Sequence, residues 1–194
     1  MEIEIMKNLR AIAILGLSVI AVPAFADDDR NFTTVCPSDV AIAIDSEFGP
    51  GSADVTRCLA KRHYVKVVYQ INQLCKDSSC SAAYAIGNIG NAVKDYENTH
   101  GMVPDQDYEI VAIVHSAGWK LVLDNVDPAL GTTNPFRQTM VELLEKGVKV
   151  KFCQNTARSK GVTLDKMIDG IEFVTSGVTA IADYQSRGYA FVQP

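Results

Sequence analysis

The sequence predicts an α/β fold built on a five-stranded, mostly parallel sheet. From Tyr64 to the end, short β-branched or apolar runs alternate with segments of helical periodicity. One of those runs, Ile110-Val111-Ala112-Ile113-Val114, is apolar without a break. Strand and helix in alternation imply right-handed crossovers, and therefore parallel pairing. An unbroken apolar strand implies cover on both faces.

Each element has its own signal. Val65-Lys66-Val67-Val68-Tyr69 is β-branched and aromatic, and reads as the first strand. Residues 81–99 place Ala82, Ile86, Ile89, Val93 and Tyr96 on one helical face, with Ser81 as N-cap and Gly101 just past the end. Ile110–Val114 is the second strand. Asn134-Pro135 opens a helix with proline at its first position; Phe136, Met140, Leu143 and Leu144 form its apolar face and Gly147 stops it. Val148, Val150 and Phe152 mark a third strand that ends at Cys153. A short helix around Thr163–Ile168 precedes a fourth strand at Ile171–Val174. Ser176 caps a last helix through Val178 and Ile181, closed by Gly188, and Tyr189-Ala190-Phe191-Val192 is the final strand.

The first 64 residues read differently. Lys7 and Arg10 precede an uncharged apolar run, Ala11 to Val22, followed by Pro23 and the small-x-small site Ala24-Phe25-Ala26. This order is the secretory signature, so residues 1–26 are expected to be a signal peptide cleaved before Asp27. Glu2 and Glu4 fit a basic leader poorly, which leaves Met6 as an alternative start. The apolar run is shorter than the roughly 20 residues that span a bilayer. Residues 27–64 carry turn signals such as Phe48-Gly49-Pro50-Gly51-Ser52 and read as an irregular extension, leaving 65–194 as the α/β domain. The net charge of −5 and the lack of any Lys/Arg-rich run of five or more argue against nucleic-acid binding. No second long apolar segment follows the leader, so a periplasmic or secreted protein without a membrane span is expected.

Export places the cysteines where disulfides persist. There are five: Cys36, Cys58, Cys75, Cys80 and Cys153. Sequence leaves their pairing open; Cys36–Cys58 with Cys75–Cys80 leaves Cys153 over. An odd cysteine in an exported chain points to a free reactive thiol or an intermolecular bond. Cys75-x-x-x-x-Cys80 fits a structural disulfide, a redox pair or half of a metal site, but matches no strong zinc spacing. Asp124-Asn125-Val126-Asp127 lacks calcium-loop spacing and reads as solvated loop. No cofactor or metal is called for.

In open parallel sheets, sites lie beyond the carboxyl ends of the strands. Three segments bring reactive groups there: Cys75 to Cys80, His115-Ser116, and Cys153. A helical turn begins just after Cys153, at Asn155-Thr156, and backbone N–H groups at such a turn favour a thiolate, with Arg158 and Lys160 adding positive charge. The alternative is a cysteine that merely packs. His115 is a candidate partner that hydrogen-bonds the thiolate or moves a proton, or else a histidine that satisfies loop backbone groups. His63 and His100 read as surface residues at element edges.

The segment Gly147-Val148-Lys149-Val150-Lys151-Phe152-Cys153-Gln154-Asn155-Thr156-Ala157-Arg158-Ser159-Lys160-Gly161 resembles the DsrE/DsrF-like sulfur-relay family, as does the tail from Gly177-Val178 to Gly188-Tyr189-Ala190-Phe191-Val192-Gln193-Pro194. The resemblance runs from about Val65 to Pro194. It implies a three-layer α/β/α fold, assembly as trimers or hexamers, and sulfur carried as a persulfide on the cysteine that matches Cys153, exchanged with a donor or acceptor protein. The best-understood members are cytoplasmic, whereas this chain carries an export signal, and the region before Lys66 has no counterpart among them. The expectation is a periplasmic sulfur carrier or sulfurtransferase-like protein using Cys153 and His115. The alternatives are a non-catalytic binding or assembly module, and a thiol–disulfide exchange protein using Cys75, Cys80 and Cys153.

Overall fold

The computed structural model describes residues 64–124 and 133–194. The expected leader, the extension through residue 63, the Cys36–Cys58 pair, His63 and the loop residues Asn125–Asp127 lie outside the described residues.

Five strands form one sheet: β1 (Val65–Ile71), β2 (Tyr108–Val114), β3 (Lys149–Cys153), β4 (Glu172–Val174) and β5 (Ala190–Val192). Their spatial order is β4-β3-β2-β1-β5, and every pair is parallel. The helices are α1 (Ile86–Lys94), α2 (Arg137–Glu145), α3 (Gln154–Lys160) and α4 (Gly177–Ser186). Among the described residues no helix is long and apolar enough to cross a membrane.

Alternation along the central strands explains the layers. Ile110, Ala112 and Val114 of β2 join Tyr69, Val150 and Phe152 in a cluster with Ile86, Ile89 and Val93 of α1 and Met140 and Leu143 of α2. Val111 and Ile113 point to the other face, where Val68, Ile181 of α4 and Tyr189 cover them. The predicted unbroken apolar strand therefore has helices on both sides, which makes the three-layer α/β/α arrangement. Fully burying an aliphatic or aromatic side chain of this kind contributes about 1.5–3 kcal/mol.

The helix expected from residue 81 starts later, at Ile86, and Ser81 is not its cap. The Cys75–Cys80 disulfide closes a loop just upstream. An antiparallel bridge joins Cys75 to Ala83, and the N–H groups of Lys76 and Tyr84 donate to the carbonyls of Ala82 and Leu74. These pairings hold residues 81–85 outside the helix, and Ala85 turns into it with φ of 63°. Tyr84 Oη also donates to the Pro194 oxygen, tying the segment after β5 to this loop.

The helix at Asn134-Pro135 likewise begins at Arg137. Asn134 is a hub instead: its Oδ1 accepts from Phe136 N–H at 3.0 Å, and its Nδ2 donates to Leu121 O at 2.9 Å and Leu123 O at 3.0 Å. Those carbonyls belong to a segment that the periodicity did not mark. Ser116–Val122 is a 3₁₀ helix that follows β2 and runs across the carboxyl edge of the sheet.

Gly118 lets this 3₁₀ helix lie against the end of β1. A Cβ added there would sit 2.8 Å from the Ile71 carbonyl oxygen and 3.3 Å from that of Gln73. Gly118→Ala is expected to destabilise the protein by about 1–3 kcal/mol through this overlap with backbone. Urea unfolding measures it, and a variant as stable as the parent would show that the 3₁₀ helix is free to lift.

Candidate functional site

The sheet register sets which residues meet. Ile71 lies beside Val114, Val114 beside Phe152, and Cys153 beside Val174. The first residue beyond β2, His115, and the last residue of β4, Val174, are thus brought level with Cys153. Cys153 is the last residue of β3 and the N-cap of α3, so the first N–H groups of α3 face its sulfur. Beyond Val174, only Thr175 and Ser176 separate β4 from Gly177, the first residue of α4.

The groups that favour the anionic form of Cys153 come from both helices: the backbone N–H groups of Asn155 and Thr156, the Thr156 hydroxyl, and the backbone N–H of Gly177. The residue is 5% exposed and, among the described residues, is the cysteine without a disulfide. Burial is the largest single influence on the thiol and pushes its pKa up; the four hydrogen bonds together outweigh it and hold the pKa below its ordinary value. The arrangement therefore favours the thiolate, the form that is nucleophilic.

Arg158 and Lys160 do not contribute as expected. Arg158 donates to Asn155 Oδ1 and Gln154 Oε1, and Lys160 lies over the Trp119 ring. The sulfur is stabilised by peptide and hydroxyl dipoles rather than by a neighbouring cation.

His115 reaches the site but does not bond the thiolate. It is buried, its Nε2 lies 2.9 Å from Gln70 Nε2, and its Nδ1 lies 2.8 Å from Ser116 Oγ. An amide nitrogen is a donor, so Nε2 accepts and the proton sits on Nδ1, directed at Ser116 Oγ. Burial holds the imidazole pKa below its ordinary value, in keeping with this neutral form. The ring also presses on Gly177: a Cβ there would lie 3.0–3.1 Å from His115 Cβ, Cγ and Cδ2. Ser116 N–H donates to Thr156 Oγ1 at 3.1 Å, which leaves the Thr156 hydroxyl proton for the sulfur. His115 thus touches both Gly177 and Ser116, the residues on either side of the thiolate's donor set.

Cys75 and Cys80 form a disulfide with each other after β1, so the structure pairs them apart from Cys153. His100, expected at the surface, is 8% exposed, with Nε2 3.4 Å from Asp95 Oδ2. It precedes β2 and so belongs to the amino edge of the sheet, away from Cys153. The sequence reading missed the Thr156 hydroxyl, Gly177 and Gln70. A threonine three residues after a strand-ending cysteine was a usable signal; Gly177 needed the β3–β4 register to become meaningful.

Comparison with known proteins places this geometry. The sequence profile of the DsrE/DsrF-like family matches residues 66–194, and the chain belongs to that family. No curated protein matches it significantly. Among solved structures it is similar to a protein of unknown function, MTH1491, from Methanobacterium thermoautotrophicum, at 23% identity and a TM-score of 0.51, over 68% of this chain and 99% of that one. It is also similar to the ychN protein from E. coli, at 18% identity and a TM-score of 0.48, over 66% of this chain and 98% of that one. The first of these bears on the fold.

Two outcomes are expected of the site. Thr156→Val removes the hydroxyl donor while keeping the N–H, so the pH midpoint of Cys153 alkylation by iodoacetamide should rise by about one unit. A midpoint that does not move would mean that the hydroxyl points elsewhere. Because His115 has a depressed pKa in the fold, the unfolded chain takes up a proton that the folded one refuses. Stability should therefore fall as pH drops through about 6.5 and level off below the folded value. Urea unfolding of His115→Gln against the parent across that range should show a shallower fall, and identical profiles would contradict it.

Proposed function

We propose that this DsrE/DsrF-like protein carries sulfane sulfur as a persulfide on Cys153 and hands it to an acceptor thiol outside the cytoplasm. The observation that carries the reading is the place of Cys153 at the end of β3 and the start of α3, where the thiol is buried and yet neighbouring N–H and hydroxyl groups hold its pKa below the ordinary value. A cysteine that only packs has no use for four donors, since a neutral thiol is a weak acceptor. A thiolate has, and so has the terminal sulfur of a persulfide, which is also an anion.

The reaction balances without an oxidant. The Cys153 thiolate attacks the sulfane sulfur of a donor, the donor's S–S bond breaks, and the electron pair leaves with the donor's remaining sulfur. Cys153 then carries S–S⁻, and an acceptor thiolate removes the outer sulfur in the reverse sense. His115 is a positioning residue in this scheme, since it touches Gly177 and Ser116 rather than the sulfur. Membership of the family also motivates assembly as a homo-oligomer, and the leader-like residues 1–26 motivate export. The burial of Cys153 favours the second reading, a binding module in which the thiol is inert.

Intact mass spectrometry after incubation with inorganic polysulfide separates the two. The parent should gain the mass of one sulfur atom, removed by reductant, and Cys153→Ser should keep the fold and gain none. His115→Ala should load more slowly and raise the midpoint of the pH profile for loading. A parent protein that gains no sulfur, and whose Cys153 alkylates only after unfolding, would leave the binding module as the function.

A further inference from the structure

Cys153 lies in one of two stretches that carry no carboxylate. Ile110 to Leu123 and Lys146 to Leu164 contain no Asp or Glu, although the chain's net charge is −5. The two stretches meet at the carboxyl edge, where Ser116 N–H donates to Thr156 Oγ1 at 3.1 Å. Three cations stand on the elements that meet there: Lys120 on the 3₁₀ helix, and Arg158 and Lys160 on α3.

Among the described residues these cations are held together without an ion-pair partner. Lys120 Nζ and Lys160 Nζ lie 5.8 and 6.0 Å from the Trp119 ring centroid, so one indole gathers ammonium groups from two elements. Arg158 donates to the neutral side-chain oxygens of Asn155 and Gln154, at 3.3 and 3.4 Å. Among the described residues none of the three forms an ion pair, whereas Lys146, Lys149, Lys151, Arg137 and Arg187 each do. Helix α3 has seven residues and is therefore about 10 Å long, so Arg158 and Lys160 on it lie within about one Debye length of Cys153 at 0.1 M salt.

We propose that the Trp119, Lys120, Arg158 and Lys160 patch draws a small inorganic sulfane-sulfur anion, of the polysulfide or thiosulfate class, to Cys153 as its sulfur donor. This rests on the persulfide reading of Cys153 and names the donor class for it. The donor is an anion attacked by an anion, and that encounter is slow unless positive charge lies along the approach. The patch supplies that charge beside the sulfur rather than on it: the groups that stabilise the resting thiolate are peptide N–H donors and the Thr156 hydroxyl, not these side chains. Thiolate attack on the sulfane sulfur breaks the donor's S–S bond. The electron pair departs on the shortened polysulfide or on sulfite, and no oxidant or reductant is consumed.

The test uses two alkylating reagents that differ in charge, iodoacetate and iodoacetamide, together with polysulfide loading of the full chain. At low salt the parent should favour iodoacetate more than a small-molecule thiol of similar pKa does, and added salt should erase the preference. Lys120→Gln with Lys160→Gln should slow iodoacetate and polysulfide by about 3- to 10-fold relative to iodoacetamide. Lys120→Arg with Lys160→Arg should restore the rates. A ratio that neither salt nor the Gln pair alters would overturn the patch as a donor site, while continued loading by polysulfide would leave the persulfide reading intact. A Cys153 inert to both reagents and to polysulfide would overturn both.

Discussion

The register of the parallel sheet is the constraint on which the rest depends. Pairing of Ile71 with Val114, Val114 with Phe152, and Cys153 with Val174 ends four strands at one level. A one-residue slip in β4 would turn its side chains to the opposite face and displace the start of α4. The Gly177 N–H would then no longer meet the sulfur. The stacking of Phe173 on Phe152, the burial of Ile171 and the packing of Val174 on the opposite face oppose that slip, so the apolar core fixes the electrostatics of a site that it does not itself line.

At the sulfur, two effects of similar kind oppose each other. Enclosure in a low-dielectric surround disfavours the thiolate; donors held in place by that same enclosure favour it. The second wins because the donors are backbone groups whose positions are set by helix starts and cost little to orient. A lysine beside the sulfur would lower the pKa too, but would be solvated and mobile. Here the side-chain cations stand off on Trp119, and the field at the sulfur comes from the fold.

Much of this was legible in the sequence, because strand alternation and an unbroken apolar run report the core directly. Cys153 was legible as a strand's last residue followed by a helical turn, and its lack of an intrachain partner among the described residues agrees with the odd cysteine count. What was not legible depends on contacts distant in sequence. Periodicity placed residues 81–85 in a helix, yet the Cys75–Cys80 loop and the Cys75–Ala83 bridge claim them. The 3₁₀ helix Ser116–Val122 has too short a period for an apolar stripe. Gly177 is marked only by what lies beside it, the His115 ring on one side and the Cys153 sulfur on the other.

Left-handed backbone positions occur at both edges of the sheet. On the amino edge, turns into β3 and β5 use Gly147 and Gly188 for their left-handed positions, at little steric cost, while Tyr64 before β1 and Asp105 before β2 take such positions without being glycine. On the carboxyl edge the left-handed positions are Cys80, Ala85 and Ser116, none of them glycine. Each costs about 1 kcal/mol or more, and such a residue persists only where its surroundings over-determine it. For Ser116 two contacts do this: its N–H is held by Thr156 Oγ1, and its hydroxyl lies against His115 Nδ1. A glycine at 116 would relieve the strain and lose the hydroxyl that meets the Nδ1 proton. The strained serine is thus the joint through which His115, seated on β1 by Gln70, steadies the hydroxyl that faces the sulfur.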